Sequence, residues 1–144
     1  MDSWLHPIQL EGELVKLVPL QKSQKVDLAF AASDGKLWEL WYTSVPSPKT
    51  IDSYLDIALS EQEKGNALPF AIIDKKTNTI VGSTRFLNID AKNKRVEIGA
   101  TWYAKKKQRT GINTECKYLL LKYAFENLNC IAVEFRTHFH NHPS

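Results

Sequence analysis

From Leu68 to Ala124 the apolar residues change their period once, and that change limits the folds open to this chain more than any other feature of it. Residues 70–73, 79–87 and 95–103 are short runs rich in β-branched and aromatic side chains, separated by polar turns at 75–78 and 88–94. Such a pattern predicts consecutive antiparallel strands, the first two forming a hairpin. After three lysines, Lys105 to Lys107, the spacing becomes helical: Cys116, Leu119, Leu120, Tyr123 and Ala124 fall at i, i+3, i+4, i+7 and i+8, the stripe of a helix that buries one face.

The flanking segments complete the layout. Residues 10–20 alternate at Leu14, Lys16 and Val18 after a turn-prone Glu11-Gly12, and predict a first strand that Pro19 helps to end. Ser23 is placed to cap a short helix through Ala32, and Thr50 to cap a second one carrying Ile51, Tyr54, Leu55 and Ala58 and ending at Gly65. Residues 131–139 alternate as a last strand, with Ile131, Val133 and Phe135 on one face. The order strand, helix, helix, three strands, helix, strand is that of an α+β (mixed α/β) domain, and the sequence shows no internal repeat or low-complexity linker.

Composition sets outer bounds on function. With 144 residues, 43% of them hydrophobic and 24% charged, the chain can bury an ordinary globular core. A net charge of +3 falls short of the concentrated basic stripe that would by itself indicate a nucleic-acid partner. Cys116 and Cys130 lack CxxC spacing and are expected as buried free thiols. No apolar run approaches bilayer length and the first ten residues do not read as a secretory signal, so no membrane partner and a cytoplasmic location are expected.

Chemistry concentrates in Gln108-Arg109-Thr110-Gly111-Ile112-Asn113, between a strand and a helix. The first turn of a helix leaves backbone N–H groups unpaired at the positive end of its dipole, so this is a place for an anion. Gly111 allows close backbone approach to a pyrophosphate, Thr110 adds a hydroxyl, and Arg109 with the preceding lysines adds charge. A single glycine at a helix start is, on its own, more often only a turn.

The same segment resembles the acetyl-CoA signature of the GNAT superfamily, Gln/Arg-x-x-Gly-x-Gly/Ala, through Gln108 and Gly111. Ordered motifs around it resemble the RimJ/RimL-like branch: Gly82-Ser83-Thr84-Arg85-Phe86, Val96-Glu97-Ile98-Gly99 with Thr101-Trp102, Gly111-Ile112-Asn113-Thr114-Glu115 with Lys117, and Ala124-Phe125-Glu126. The resemblance implies the acyl-CoA N-acyltransferase fold, a mostly antiparallel twisted sheet flanked by helices. It also implies transfer of an acetyl group from acetyl-CoA to a primary amine, on a protein N-terminus or a small molecule, by direct attack on the thioester and without a metal. Cofactor contacts are then expected from Thr101, Trp102, Tyr103, Gln108, Arg109, Thr110, Gly111, Ile112, Asn113 and Asn141, with a backbone N–H near Trp102 or Tyr103 facing the oxyanion. Ser144 resembles the serine assigned as proton donor to the leaving thiolate. Chains of this family continue past that serine into a further helix and two strands, so residues 1–144 are expected as a single, C-terminally incomplete domain, leaving open a homodimer, an exchange of elements or a truncated product of weak activity.

Other residues carry two readings each. Glu97 is a candidate general base, or the ion-pair partner of Arg85 or Arg95. Trp38, Trp41 and Tyr42 line an acceptor pocket or fill core. His138, His140 and His142 share one face of a strand as a zinc site would need, but no acidic or cysteine partner stands near them in sequence. Against the enzyme stand two alternatives, a CoA-binding or structural relative without turnover and a basic module for ribosome or nucleic acid. The intact phosphate loop favours the enzyme.

Overall fold

A computed structural model of the chain describes residues 5–34, 45–107 and 110–135. Among these, six strands form one sheet in chain order: β1 (Leu10–Glu11), β2 (Val15–Pro19), β3 (Leu68–Asp74), β4 (Thr79–Asp90), β5 (Arg95–Tyr103) and β6 (Ala132–Phe135). Neighbours are antiparallel except β5 and β6, which run parallel. Parallel neighbours need a crossover, and helix α3 (Ile112–Lys122), continued by a π turn over Tyr123–Asn127, supplies it. Helices α1 (Lys25–Ser33) and α2 (Ile51–Glu63) fall between β2 and β3.

The helices divide between the two faces of the sheet. On one face Val15, Leu17, Phe70, Ile72, Phe86, Ile98 and Tyr103 pack with Ile112, Cys116, Leu120 and Ala124, the stripe expected of α3. On the other, Ala71, Trp102 and Ala104 pack with Leu28 and Ala32 of α1 and with Ile51, Leu55 and Ala58 of α2. Strands covered on both sides have no polar face, which is why β3 reads Leu-Pro-Phe-Ala-Ile-Ile without alternation.

Several local expectations change in detail. The predicted strand over 10–20 is two strands joined by a turn that the Gly12 N–H closes on Val15 O at 2.9 Å, and its buried residues are Val15 and Leu17 rather than Leu14. Ser23 does not cap α1: it lies in a 3-10 turn (Lys22–Gln24) whose own start is closed by Gln24 Oε1 accepting the Gln21 N–H at 2.9 Å, while α1 has Gln24 at its N-cap and no side-chain capping bond. Thr50 is at the N-cap of α2, but its hydroxyl accepts the Ser47 N–H at 2.8 Å and closes the preceding turn instead. The polar segment over 88–94 is a turn only in its second half. β4 continues to Asp90 through Asn88, whose φ of 47° marks a bulge.

Candidate active site

The distal half of β5 is distorted. Ser83 of β4 faces Trp102 and Arg85 faces Gly99, so two residues of β5, Ala100 and Thr101, oppose the single residue Thr84. This is a β-bulge, and Ala100 takes a φ of 51°, a left-handed conformation that a non-glycine residue adopts at some cost. The Thr84 and Thr101 hydroxyls meet at 2.7 Å across it. On the other edge, β6 pairs with β5 only from Arg95 to Ile98, and among the described residues no strand continues that pairing alongside Gly99 to Tyr103. Ala104 N–H is bonded to Val81 O of β4 at 2.7 Å, so the alternation of a strand turns the Tyr103 N–H to the opposite edge, away from β4.

Next to this edge α3 begins. Its N-cap is Gly111, with φ −71° and ψ −4° and no capping side chain of its own. The Ile112 N–H reaches Thr110 Oγ1 at 3.3 Å, Thr110 Oγ1 donates to Lys107 O at 2.7 Å, and the first full helical bond is Glu115 N–H to Gly111 O. The remaining first-turn donors point out of the helix start. Before them opens a cavity of about 570 Å³ lined by Thr110, Gly111 and Ile112, by Asp74 at the end of β3 with Lys75 and Lys76 after it, by Lys107, and by Glu13 and Leu14. Lys107 is bound to Asp74 at 2.7 Å, and the Lys105 and Lys106 N–H groups are held by Asp34 at 3.3 and 2.9 Å. The lysine run is therefore fixed to the body of the domain, with Lys76 an additional cation that its sequence position did not suggest. Burial alone would raise the Asp74 carboxyl, but the Lys107 ammonium and the Lys76 and Thr77 N–H groups outweigh this and hold it below its ordinary value.

The structure sorts the expected cofactor residues by what they can still offer. Thr101 Oγ1 is engaged by Thr84, the Trp102 indole donates to Tyr54 Oη at 3.2 Å within the α1/α2 core, and Tyr103 Oη donates to Asn113 Oδ1 at 2.8 Å. The side chain of Ile112 is core. The side chains of Trp102, Tyr103 and Ile112 are thus committed to the fold. Gln108, Arg109, Asn141 and Ser144 lie outside the described residues, as do Trp38, Trp41, Tyr42, His138, His140 and His142. Among the described residues no group of His, Cys, Asp and Glu is placed to hold a metal ion.

Glu97 is buried on β5, and its Oε1 accepts a 2.6 Å hydrogen bond from Asn88 Nδ2. Arg85, one of its two expected partners, instead lies over the Tyr54 ring, 5.5 Å from the centroid. Asn88, Arg85 and the bulge residue Ala100 line a second cavity, of about 630 Å³, under the C-terminal end of α2. Both cysteines are free and buried. Burial pushes the Cys116 thiol up to about 12 and raises Cys130 as well, so neither is a ready thiolate nucleophile.

Two residues that hold this site together escaped the sequence reading. Glu115 Oε1 accepts the N–H groups of Leu14 and Val15 at 2.7 and 2.8 Å, pinning the start of α3 to the β1–β2 turn. Its carboxylate occupies the space above Gly12 where any side chain would collide with it. Gly82 lets β4 approach the distorted part of β5: a Cβ there would stand 2.2 Å from Trp102 O. Both lie within the motifs that carried the resemblance, yet a packing role leaves no spacing signal in a single sequence.

The sequence profile of the acetyltransferase (GNAT) domain matches residues 15–144. The chain belongs to this family. Solved structures agree on the fold: a GCN5-related N-acetyltransferase from Brucella melitensis superposes with a TM-score of 0.75 at 26% identity, over 88% of this chain and 58% of that one. A putative ribosomal-protein-serine acetyltransferase from Vibrio cholerae gives 0.82 at 19% identity, over 95% of this chain and 78% of that one. RimL, a ribosomal L7/L12 α-N-protein acetyltransferase, gives 0.68 at 19% identity, over 86% and 68%. The last two are likenesses of fold, in keeping with the RimJ/RimL-like motifs. The chain thus spans 58% of the length of the Brucella protein. No curated protein matches it significantly.

Proposed function

We propose that this chain is an acetyl-CoA-dependent N-acetyltransferase, working as one domain in the cytoplasm and acting on a primary amine. The observation that carries the reading is the juxtaposition of the bulged end of β5, where the β6 pairing stops among the described residues, with the anion-accepting start of α3. The residues present fit the ligand: the α3 start offers backbone N–H groups and Lys76 to a pyrophosphate, and the open edge of β5 offers a strand-like partner to an amide-bearing pantetheine arm.

In this reading the amine nitrogen attacks the thioester carbonyl carbon, a C–N bond forms, the C–S bond breaks, and CoA leaves as the thiol. The Tyr103 N–H, turned to the edge of β5 away from β4, stabilises the charge developing on the carbonyl oxygen. Glu97, oriented by Asn88, takes the proton of the incoming ammonium directly or through a water. Gln108, Arg109 and Asn141 as further cofactor contacts, and Ser144 as proton donor to the thiolate, enter the proposal through the resemblance alone. Raised thiol pKa values at both cysteines speak for direct transfer over an acyl-cysteine route. The test is calorimetric titration with acetyl-CoA against ATP as control phosphate ligand, followed by thiol release with an amine panel. Equal binding of the two ligands would refute the reading.

A further inference from the structure

Arg85 lies in the middle of β4, opposite Gly99, on the face of the sheet that α2 covers. Its Nε is buried without a hydrogen-bond partner, and among the described residues no acidic side chain pairs with the guanidinium. What holds it is the ring of Tyr54, itself tied to the Trp102 indole. A guanidinium Nε withdrawn from water and left without an acceptor is costly, and the planar fork of donors on the half-buried side chain is matched by a carboxylate. Arg85 lines the cavity of about 630 Å³ that also reaches the bulge residue Ala100.

The charges around that cavity narrow what would enter it. Glu61 and Asp90 line it too, so a dianion such as a phosphate would meet two carboxylates and one cation. A polyamine would leave Arg85 unmatched and add repulsion. A ligand with one anionic and one cationic end satisfies both signs. The strand register gives the scale: Arg85 faces Gly99 and Leu87 faces Glu97, which sets Arg85 and Glu97 on a diagonal of one face, roughly 7 to 8 Å apart at the backbone. Gly99 presents no side chain in the space between them.

Building on the acetyltransferase reading, we infer that the acceptor is an amine that also carries a carboxylate, an amino acid or a short peptide. Arg85 grips its carboxylate while its amino group lies toward Glu97 and the bulge at Ala100. Arg85 is then a specificity-determining residue on the opposite face of the sheet from the start of α3.

The experiment pairs each of a panel of amino acids and dipeptides as the free acid and as its carboxamide, measured by thiol release from acetyl-CoA. A lost charge-assisted carboxylate contact predicts a ten- to hundredfold lower kcat/KM for the amides, on the order of what such a bond contributes, expressed mainly in KM. Arg85→Gln erases the discrimination. Arg85→Lys, which keeps charge without the fork and guards against a folding artefact, retains part of it. Acetyl-CoA affinity by calorimetry stays unchanged in both. Acids and amides used equally, or turnover confined to amines without a carboxylate, overturns the inference while leaving the transferase reading intact. A wild-type chain that fails to bind acetyl-CoA, or binds it and acetylates no amine, overturns the transferase reading and the inference with it.

Discussion

Replacing Gly111 with valine separates the anion site from the fold, because the two respond to different geometry. The backbone of Gly111, at φ −71° and ψ −4°, is open to any residue, and an added Cβ would meet only Leu14 Cδ1, at 3.1 Å. Leu14 is 47% exposed and free to turn away. Valine is a poorer N-cap than glycine, so the variant should lose about 1 kcal/mol and melt roughly 4 °C lower. The ligand site has no such freedom: Gly111 lines the cavity in front of the first-turn N–H groups, and a branched side chain there obstructs the close approach that a phosphate would need. Losing one hydrogen bond to a charged oxygen costs about 1.5 to 3 kcal/mol, and losing two should weaken acetyl-CoA by on the order of a hundredfold or more. Calorimetric titration beside a thermal melt reads both quantities. Unchanged affinity would refute the site assignment, and a collapse of the melting temperature would show that Gly111 is there for folding.

Three further outcomes follow from the architecture. Gly82→Ala should cost about 2 kcal/mol or more, since its Cβ cannot coexist with Trp102 O and the β4–β5 pair must open; a urea titration checks this. Glu115→Ala should destabilise by roughly 1 to 3 kcal/mol in the same assay, with Glu115→Gln losing less because it keeps an acceptor oxygen for the Leu14 and Val15 N–H groups. For Asp74 the folded pKa is lowered, so its contribution is complete above the unfolded carboxylate value near about 3.9 and is lost as pH falls through the folded one. The stability gap between wild type and Lys107→Met should therefore be widest near neutral pH and close progressively below about pH 4; a gap that widens in acid would refute the pairing.

How much of this was legible without coordinates depends on how local its cause is. The span of β5, that of α2 and the buried stripe of α3 were each readable because period and turn chemistry are encoded within a few residues. The caps failed where other groups took the side chain or the position: the Ser47 N–H drew the Thr50 hydroxyl backward, and Ser23 falls inside a 3-10 turn with Gln24 at the start of α1. The candidate phosphate loop was visible as a motif, but not that its lysines are anchored by Asp74 and Asp34, because those partners are distant in sequence.

By itself, then, the sequence determined the element types and their order, the anion-favouring start of α3 and the family resemblance, all of which rest on short-range periodicity and ordered motifs. Only the tertiary structure decided where, among the described residues, the β6 pairing along β5 stops, and that Tyr103 rather than Trp102 turns its N–H to the edge away from β4. It also brought the Glu115 carboxylate onto a turn a hundred residues away in sequence and set Arg85 beside a cavity with no ion-pair partner among the described residues. The reason is physical: a strand's sequence fixes which residues share a face, whereas register, bulges and the pairing of buried charge are set by whatever other segments the sheet brings alongside.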